Sequence, residues 1–486
     1  MAERTPAYSS IAITLVAVCA LAACASASLG PAYQRPVLAL PDTLPATGGT
    51  TSVDWGVWWK GFQDPVLDAL MAEAARNSQD LALASARIAE ARATLAQNQT
   101  NFYPAVDLNA SATRQRASEN AASFNPGFGA YSTTQQLGLS ASYEIDFWGK
   151  YARVDDAARA RLLSQAANQG TVLTSLYANV AQSYFALRAL DAQTTLAEQT
   201  LATRHENLRL QQRRFDAGVI GELDLRQAES EAAGVEASLQ ATRQNRGNAE
   251  SALALLLGRQ PADIMHPVLT RGLEVGALYA SQSIPADLPS DVLSRRPDVL
   301  SAEQSLVAAN ADIGQARAAY FPKLSLTAGL GQQSKDLASL FDPASLFWNL
   351  MGNLTQPVFR AGAIGAVVAA ANAREQQALA QYTQTVQNAF RDVHDALNNV
   401  AAGREIAATT SRRIEALRNT LRLSDLRYQN GYSSYLEVLN AQRDLAQAES
   451  AQIDTQRSQL NAVVSLYRAL GGGWEAQGGV AQTATP

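Results

Sequence analysis

The chain has 486 residues, 17% of them charged, with a formal net charge of −5. That length exceeds one ordinary domain, and the acidic balance excludes an electrostatic nucleic-acid surface. Beyond the first residues no run reaches the roughly 18 apolar residues of a membrane-spanning helix, so any membrane passage must use strands.

Arg4 opens a weakly basic start, and Ile11 to Ala23 is apolar. Leu21-Ala22-Ala23-Cys24 then resembles a bacterial lipobox. This predicts a signal peptide over 1–23 and lipid modification of Cys24. The other cysteine, Cys19, leaves with the signal, so the mature chain is expected to form no disulfide. Ala25 is not Asp, so nothing there resembles an inner-membrane retention signal. One lipid anchor holds weakly, so a second membrane element is expected. Residues 24–60 lack periodicity and read as a lipidated N-terminal segment, with Trp55, Trp58 and Trp59 predicting a packed aromatic patch.

Two structural repeats follow, over 61–258 and 291–472, joined by a Pro-rich linker or equatorial region over 259–290 and followed by a tail over 473–486. Each is predicted to open with a helix of about 35 residues, from Pro65 to Ala96 and from Pro297 to Ala318. Both helices end in an aromatic-Pro step, Phe102-Tyr103-Pro104 and Tyr320-Phe321-Pro322, and then the period becomes two. Alternation from Ala105, from Leu137 to Phe147, from Lys323 and from Trp348 to Val358 predicts two strands per repeat. Long helices are predicted over 151–216 and 362–430, each roughly 100 Å at 1.5 Å per residue. Turns at Gly218 and Gly431 stop them. Returning helices of about 35 residues end at Leu257-Gly258 and Leu470-Gly471.

The long helices carry a seven-residue stripe. Leu173, Val180, Leu187, Thr194, Leu201, Leu208 and Phe215 form the first series; Val386, Val393, Val400, Ala407, Ile414, Leu421 and Tyr428 form the second. Each member of the second lies 213 residues beyond its counterpart, as Val386 does beyond Leu173. The stripe predicts left-handed coiled packing, and the constant offset predicts a duplicated chain. Four strands cannot close a membrane barrel, for which about eight is the minimum. Either the sheet packs on another element, or several chains pool strands.

In this order the segments resemble the TolC family of outer-membrane efflux channels, in its lipidated, NodT-like branch. The carrying residues are Gly30-Pro31-Ala32-Tyr33, Trp58-Trp59 with Phe62 and Asp64-Pro65, Tyr143 to Gly149, and above all Leu288-Pro289-Ser290-Asp291 through Arg295-Arg296-Pro297-Asp298 to Tyr320-Phe321-Pro322. The resemblance implies a mainly α fold with a membrane β-barrel contribution, assembled as a homotrimer. Three chains would share a 12-stranded barrel in the outer membrane and a long periplasmic α-helical barrel. It implies a passive exit duct with a periplasmic adaptor and an inner-membrane RND-type transporter as partners. The adaptor-docking tips would be Arg214, Phe215, Gly218, Gly221, Arg427, Tyr428 and Gly431. Leu436 aligns with an apolar constriction residue, and Asn440 stands where relatives often carry a gate Asp. Glu437, one turn from Asn440, is the alternative source of an acidic ring, with Asp224 as its counterpart in the first repeat. The competing reading of Glu437 and Asp224 is as ordinary solvated helix residues, and of Phe215 and Tyr428 as the core end of the heptad stripe.

His205, His266 and His394 are far apart in sequence, and no cluster has metal-ligand spacing. The four methionines favour organic substrates over copper or silver. No phosphate loop or nucleophile elbow is present, so neither an enzyme nor a cofactor is expected. Two other functions fit parts of the pattern: a periplasmic coiled-coil adaptor or scaffold, and a duct for type I protein secretion.

Overall fold

The computed structural model describes residues 29–39, 41, 54–122, 124–281 and 290–474. The signal peptide, Cys24 and the Leu288-Pro289 step lie outside them. The order is α1 (Pro65–Asn77), α2 (Gln79–Gln99), β1 (Ala105–Arg116), β2 (Tyr131–Ile145), α3 (Lys150–Asp216), α4 (Glu222–Leu256), α5 (Pro261–Met265), α6 (Val275–Ser281), α7 (Pro297–Ala318), β3 (Lys323–Ser334), β4 (Leu346–Thr355), α8 (Ala363–Gln429) and α9 (Tyr435–Ala469). Within each duplicate, helix, two strands, a 67-residue helix and a 35-residue helix follow one another.

The first opening helix differs from expectation: it is two helices, because Ser78 is extended at φ −61°, ψ 124°. Its N–H closes α1 on the Ala74 carbonyl, and its hydroxyl accepts from the Leu81 N–H at 3.4 Å, starting α2. Serine favours such caps over helix interiors. In the second repeat α7 has the expected bounds, Pro297–Ala318, but they enclose 22 residues rather than about 35. Pro297 sets its first turn, and a short 3-10 turn over Ser290–Arg295 precedes it. β4 ends at Thr355 rather than near Val358, since Pro357 cannot donate to a ladder.

The chain divides into two compact units. One comprises Ile88–Ser164, Ala302–Tyr382 and the N-terminal segment to Pro36; the other comprises Val37–Arg87, Gln165–Ser301 and the chain from Thr383.

The first unit holds the sheet, antiparallel in the order β1-β2-β3-β4. Its register lines residues of one kind across all four strands. Leu108, Leu139, Leu330 and Trp348 form one row; Val106, Ala141, Ala328 and Leu350 form the next on the same face. Ile145, Leu324 and Leu354 continue that face below them, and Ala110, Leu137, Gln332 and Leu346 above. The opposite face carries Asp107, Ser140, Gly329 and Asn349, then Glu144, Ser325 and Asn353. On it the Phe347 ring lies across Gly138 and Gly331, where an added Cβ would come within 3.4 and 3.0 Å of that ring. The apolar face is bare: Trp348 is 74%, Leu350 73% and Leu108 70% exposed.

The second unit is held by an aromatic and polar core. Trp58 stacks on Tyr467 with centroids 5.1 Å apart, Trp59 meets Tyr177 at 4.4 Å, and Phe62 meets Phe185 at 5.0 Å. Of the tryptophans expected as a patch, Trp58 and Trp59 are buried, Trp58 only 2% exposed, and Trp55 is half-buried. Buried Asp64 caps α1 through the Val66 N–H at 2.9 Å and also accepts from the Tyr184 hydroxyl at 2.6 Å and the Leu273 N–H at 3.0 Å. One carboxylate thus joins α1, α3 and the segment before α6. Arg296 does similar work in the second repeat. It donates to the Ala469 carbonyl at 2.7 Å and to both Asp298 oxygens, tying the end of α9 to the start of α7. This explains the Arg-Pro-Asp step structurally.

Asp64→Ala strands the Tyr184 hydroxyl and the Leu273 N–H in the core and removes a helix cap. The expected cost is about 3 kcal/mol or more. Urea unfolding followed by helical circular dichroism checks it, with Tyr184→Phe expected to cost less because the carboxylate keeps its backbone donors.

Candidate functional site

The turns that return each long helix are built alike. At the first, the Gly218 N–H donates to the Phe215 carbonyl and the Val219 N–H to the Arg214 carbonyl, both at 2.8 Å. At the second, Gly431 donates to Tyr428 at 3.0 Å and Tyr432 to Arg427 at 2.8 Å. These are Schellman caps, whose left-handed position needs glycine: φ is +73° at Gly218 and +76° at Gly431. Gly221 is the N-cap of α4, and Ser434 holds the matching place before α9.

Beside these turns the two repeats are bonded to each other. Tyr428 of α8 accepts a short hydrogen bond from Arg214 of α3, whose guanidinium also lies 5.1 Å from the Tyr428 ring centroid. Gln211, 1% exposed, donates to the same hydroxyl at 3.4 Å. Tyr428 packs on Tyr435 at 5.7 Å, beside a small buried cluster of Ala228, Tyr435 and Leu439. Burial pushes the Tyr435 hydroxyl's pKa up, with Arg204 pulling the other way.

A charged layer lies next to that cluster. Arg204 of α3 is 4% exposed. It donates a short bond to Gln442 of α9, and its Nε lies 3.5 Å from Glu231 of α4 without hydrogen-bond geometry. Glu231 also accepts from Arg443 at 2.7 Å. Burial holds the Arg204 guanidinium below its ordinary pKa, offset in part by Glu231, while the bond to Glu231 raises Arg443. Three helices from both repeats therefore meet on one buried arginine.

The remaining sequence candidates distribute as follows. Glu437 is half-buried and pairs with Arg427 at 3.6 Å. Leu436, 45% exposed, and Asn440 face outward. Asp224 is half-buried in the first turn of α4, as Glu437 is in that of α9, where a carboxylate complements the helix N-terminus. Phe215 is 36% exposed, whereas its counterpart Tyr428 is half-buried. A shallow groove lined by Leu423, Leu426, Arg427, Tyr432 and Glu437 runs beside the second turn. The structure thus brings Arg214 and Tyr428 together, and Arg427 with Glu437. Sequence reasoning missed Arg204, Gln211, Glu231, Gln442 and Arg443. Their signal was present: Arg204 and Gln211 stand three residues after Leu201 and Leu208, at positions that are Leu in Leu176 and Leu190.

No helix among the described residues is long and apolar enough to cross a membrane. Among them no group of His, Cys, Asp and Glu is placed to hold a metal ion.

Replacing Arg204 with Ala removes the donor to half-buried Gln442 and one of the two cations beside Glu231, which keeps its bond from Arg443. We expect a loss of about 2 kcal/mol, the cost of one charge-assisted hydrogen bond whose acceptor is left short. Amide exchange should rise in α4 and α9 around Glu231 and Gln442. Glu437→Gln, at a largely solvated pair, should cost under about 1 kcal/mol.

The model of the family described as Outer membrane efflux protein matches residues 70–259 and 288–472. "Cation efflux system protein CusC" of Escherichia coli O6:H1 (strain CFT073) is 34% identical over 457 residues, covering 92% of this chain and 96% of that one. "Toluene efflux pump outer membrane protein TtgC" of Pseudomonas putida is 34% identical over 462 residues, covering 93% and 94%. The crystal structure of the Campylobacter jejuni CmeC outer membrane channel superposes with a TM-score of 0.85 at 28% identity, covering 92% of this chain and 95% of that one. The chain belongs to the outer membrane efflux protein family.

Proposed function

We propose that this member of the outer membrane efflux protein family is the passive exit duct of a tripartite pump, a homotrimer that spans the outer membrane and extends into the periplasm. The observation that carries it is the sheet. Its four strands expose a continuous apolar face and leave the outer edges of β1 and β4 without a partner strand among the described residues. In a bilayer every backbone group must be bonded internally, so such a sheet has to close with others. Three copies supply twelve strands, inside the range of outer-membrane barrels.

The apolar face would meet lipid, and the row of Asp107, Ser140 and Asn349 would line a wet lumen. Cys24 would carry the lipid anchor, an assignment that rests on the Leu21-Ala22-Ala23-Cys24 motif. An RND-type transporter in the inner membrane would supply the energy and select the substrate. A periplasmic adaptor would dock at the turns around Gly218 and Gly431, where Val219, Leu223 and Tyr432 are 64–79% exposed. Neither a cofactor nor an enzymatic step is part of this reading.

The pore would close beside the same turns. Leu436 would form an apolar constriction and Glu437 an acidic ring in place of Asn440, with Asp224 near it. Opening would separate the second repeat's turn from the first and break the bonds of Arg204 and Tyr428. For the substrate we keep small organic compounds. The equal identity to a cation pump's protein and a toluene pump's protein leaves that choice resting on the four methionines.

Single-channel recording in planar bilayers tests the duct. The wild-type oligomer should show small, flickering conductance, and Leu436→Ser large, steady conductance. Silence from both, with folded and lipidated protein, would favour the scaffold reading. Glu437→Gln should lower cation over anion selectivity; unchanged selectivity would remove Glu437 from the gate.

A further inference from the structure

The apolar face of the sheet ends in a pair of arginines. On β1 the residues of that face are Val106, Leu108, Ala110, Ala112, Arg114 and Arg116, by strict alternation. Register sets Arg116 opposite Tyr131 and Arg114 opposite Thr133, so all four share the face of Leu108 and Leu139. Each guanidinium carbon lies 5.7 Å from the centroid of the Tyr131 ring. One aromatic ring therefore holds both cations, at most about 11 Å apart. The carboxylate recorded with them is Glu119, which pairs with Arg116 at 3.1 Å and is itself 58% exposed. Two cations and one solvated anion leave the group net positive.

Its height on the sheet matters. The apolar rows extend from Ile145 to Leu137 on β2, eight residues or about 27 Å along the strand. At the usual barrel tilt that is about 20 Å of bilayer thickness, close to the apolar band of outer-membrane barrels. Arg114 and Arg116 lie four and six residues beyond Ala110, about 14 and 20 Å farther along β1. Tilt reduces this to about 10 and 15 Å, which puts Arg114 at the outer border of a headgroup layer about 5–8 Å deep and Arg116 just beyond it, within reach of that layer for a long arginine side chain. On a lumen-facing row the pair would meet water; on this face it meets the outer leaflet's polar layer.

We propose that Arg114, Arg116 and Tyr131 form a binding site for the phosphate group of an outer-leaflet lipid. The site rests on the duct reading, because only a closed barrel turns this face toward lipid. Guanidinium groups match phosphate oxygens in a bidentate fork, and the Tyr131 ring keeps the two forks together without supplying a competing carboxylate. A phosphorylated glycolipid with apolar chains would seat its phosphates here and lay its chains over Leu108, Leu139 and Trp348.

The test uses the full-length oligomer in detergent, stripped of lipid and titrated with bisphosphorylated lipid A, with binding read by native mass spectrometry. Wild type should bind it, and Arg114→Gln/Arg116→Gln should bind more than about tenfold more weakly. Dephosphorylated lipid A should bind wild type no better than it binds the variant. Equal binding by wild type and variant would overturn the site. Displacement by millimolar inorganic phosphate alone would overturn the lipid assignment, leaving a free-phosphate site. A variant that binds lipid normally but falls apart as an oligomer would assign the pair to a neighbouring copy. Sedimentation of outer-membrane fractions separates the two readings: a site that fails in protein recovered there leaves the duct intact, and wild type missing from that fraction overturns both.

Discussion

Unsatisfied backbone groups along β1 and β4 constrain the rest of the molecule. A sheet with two open edges and one bare apolar face is a liability in water, where it templates aggregation. In lipid it is unstable for a second reason, because nothing there can bond the edge N–H and C=O groups. The two central apolar rows, of Leu108 and of Val106, continue without interruption from β1 to β4, across strands that belong to different repeats. Each repeat alone offers one hairpin, too little to be stable independently. Duplication therefore gives a four-stranded piece with a coherent face, and only association of copies completes it.

The two repeats have diverged beside the turns where the proposed duct would open. Their four Schellman turns match in pairs, Gly218 with Gly431 and Gly258 with Gly471. The side chains around the first pair do not match. Phe215 corresponds to Tyr428 and Glu222 to Tyr435, so the second repeat places a half-buried and a buried phenol where the first places an exposed ring and an acid. Arg204 corresponds to Leu417 and Glu231 to Asp444. The backbone was kept and the contact surface rewritten, which is what distinct roles for the two hairpins require.

Much of this was legible in the sequence because two periods and one offset dominate it. Seven-residue spacing located α3 and α8, alternation located four strands, and the offset of 213 located equivalent turns. Local chemistry escaped that reading. Ser78 breaks the first helix, its N–H closing α1 and its hydroxyl capping α2, a local effect that periodicity averages away. The turn candidates from Arg214 to Gly431 were visible because glycine punctuates a helix. Glu231, Gln442 and Arg443 were not, since ordinary polar residues reveal a partner only when folding brings together helices more than 200 residues apart in sequence. Asp64 was visible as a helix start, but its bonds to Tyr184 and Leu273 are products of tertiary packing.

The choice of interactions beside the turns also bears on opening. A buried ion pair adds little net stability, because desolvation consumes most of the attraction. It is costly to break while the site stays dry and cheaper once water enters, since water can solvate both partners. A closure made of leucines would behave in the opposite way and lose its full burial energy on separation. In the proposed duct, Arg204, Glu231, Gln442 and Arg443, with Gln211 and Tyr428 beside them, would make a closure specific in geometry and tolerant of hydration. The apolar cluster they border is small, just Ala228, Tyr435 and Leu439. If the proposed gate lies here, that ratio of polar to apolar contact would suit a joint held shut by geometry and released by wetting.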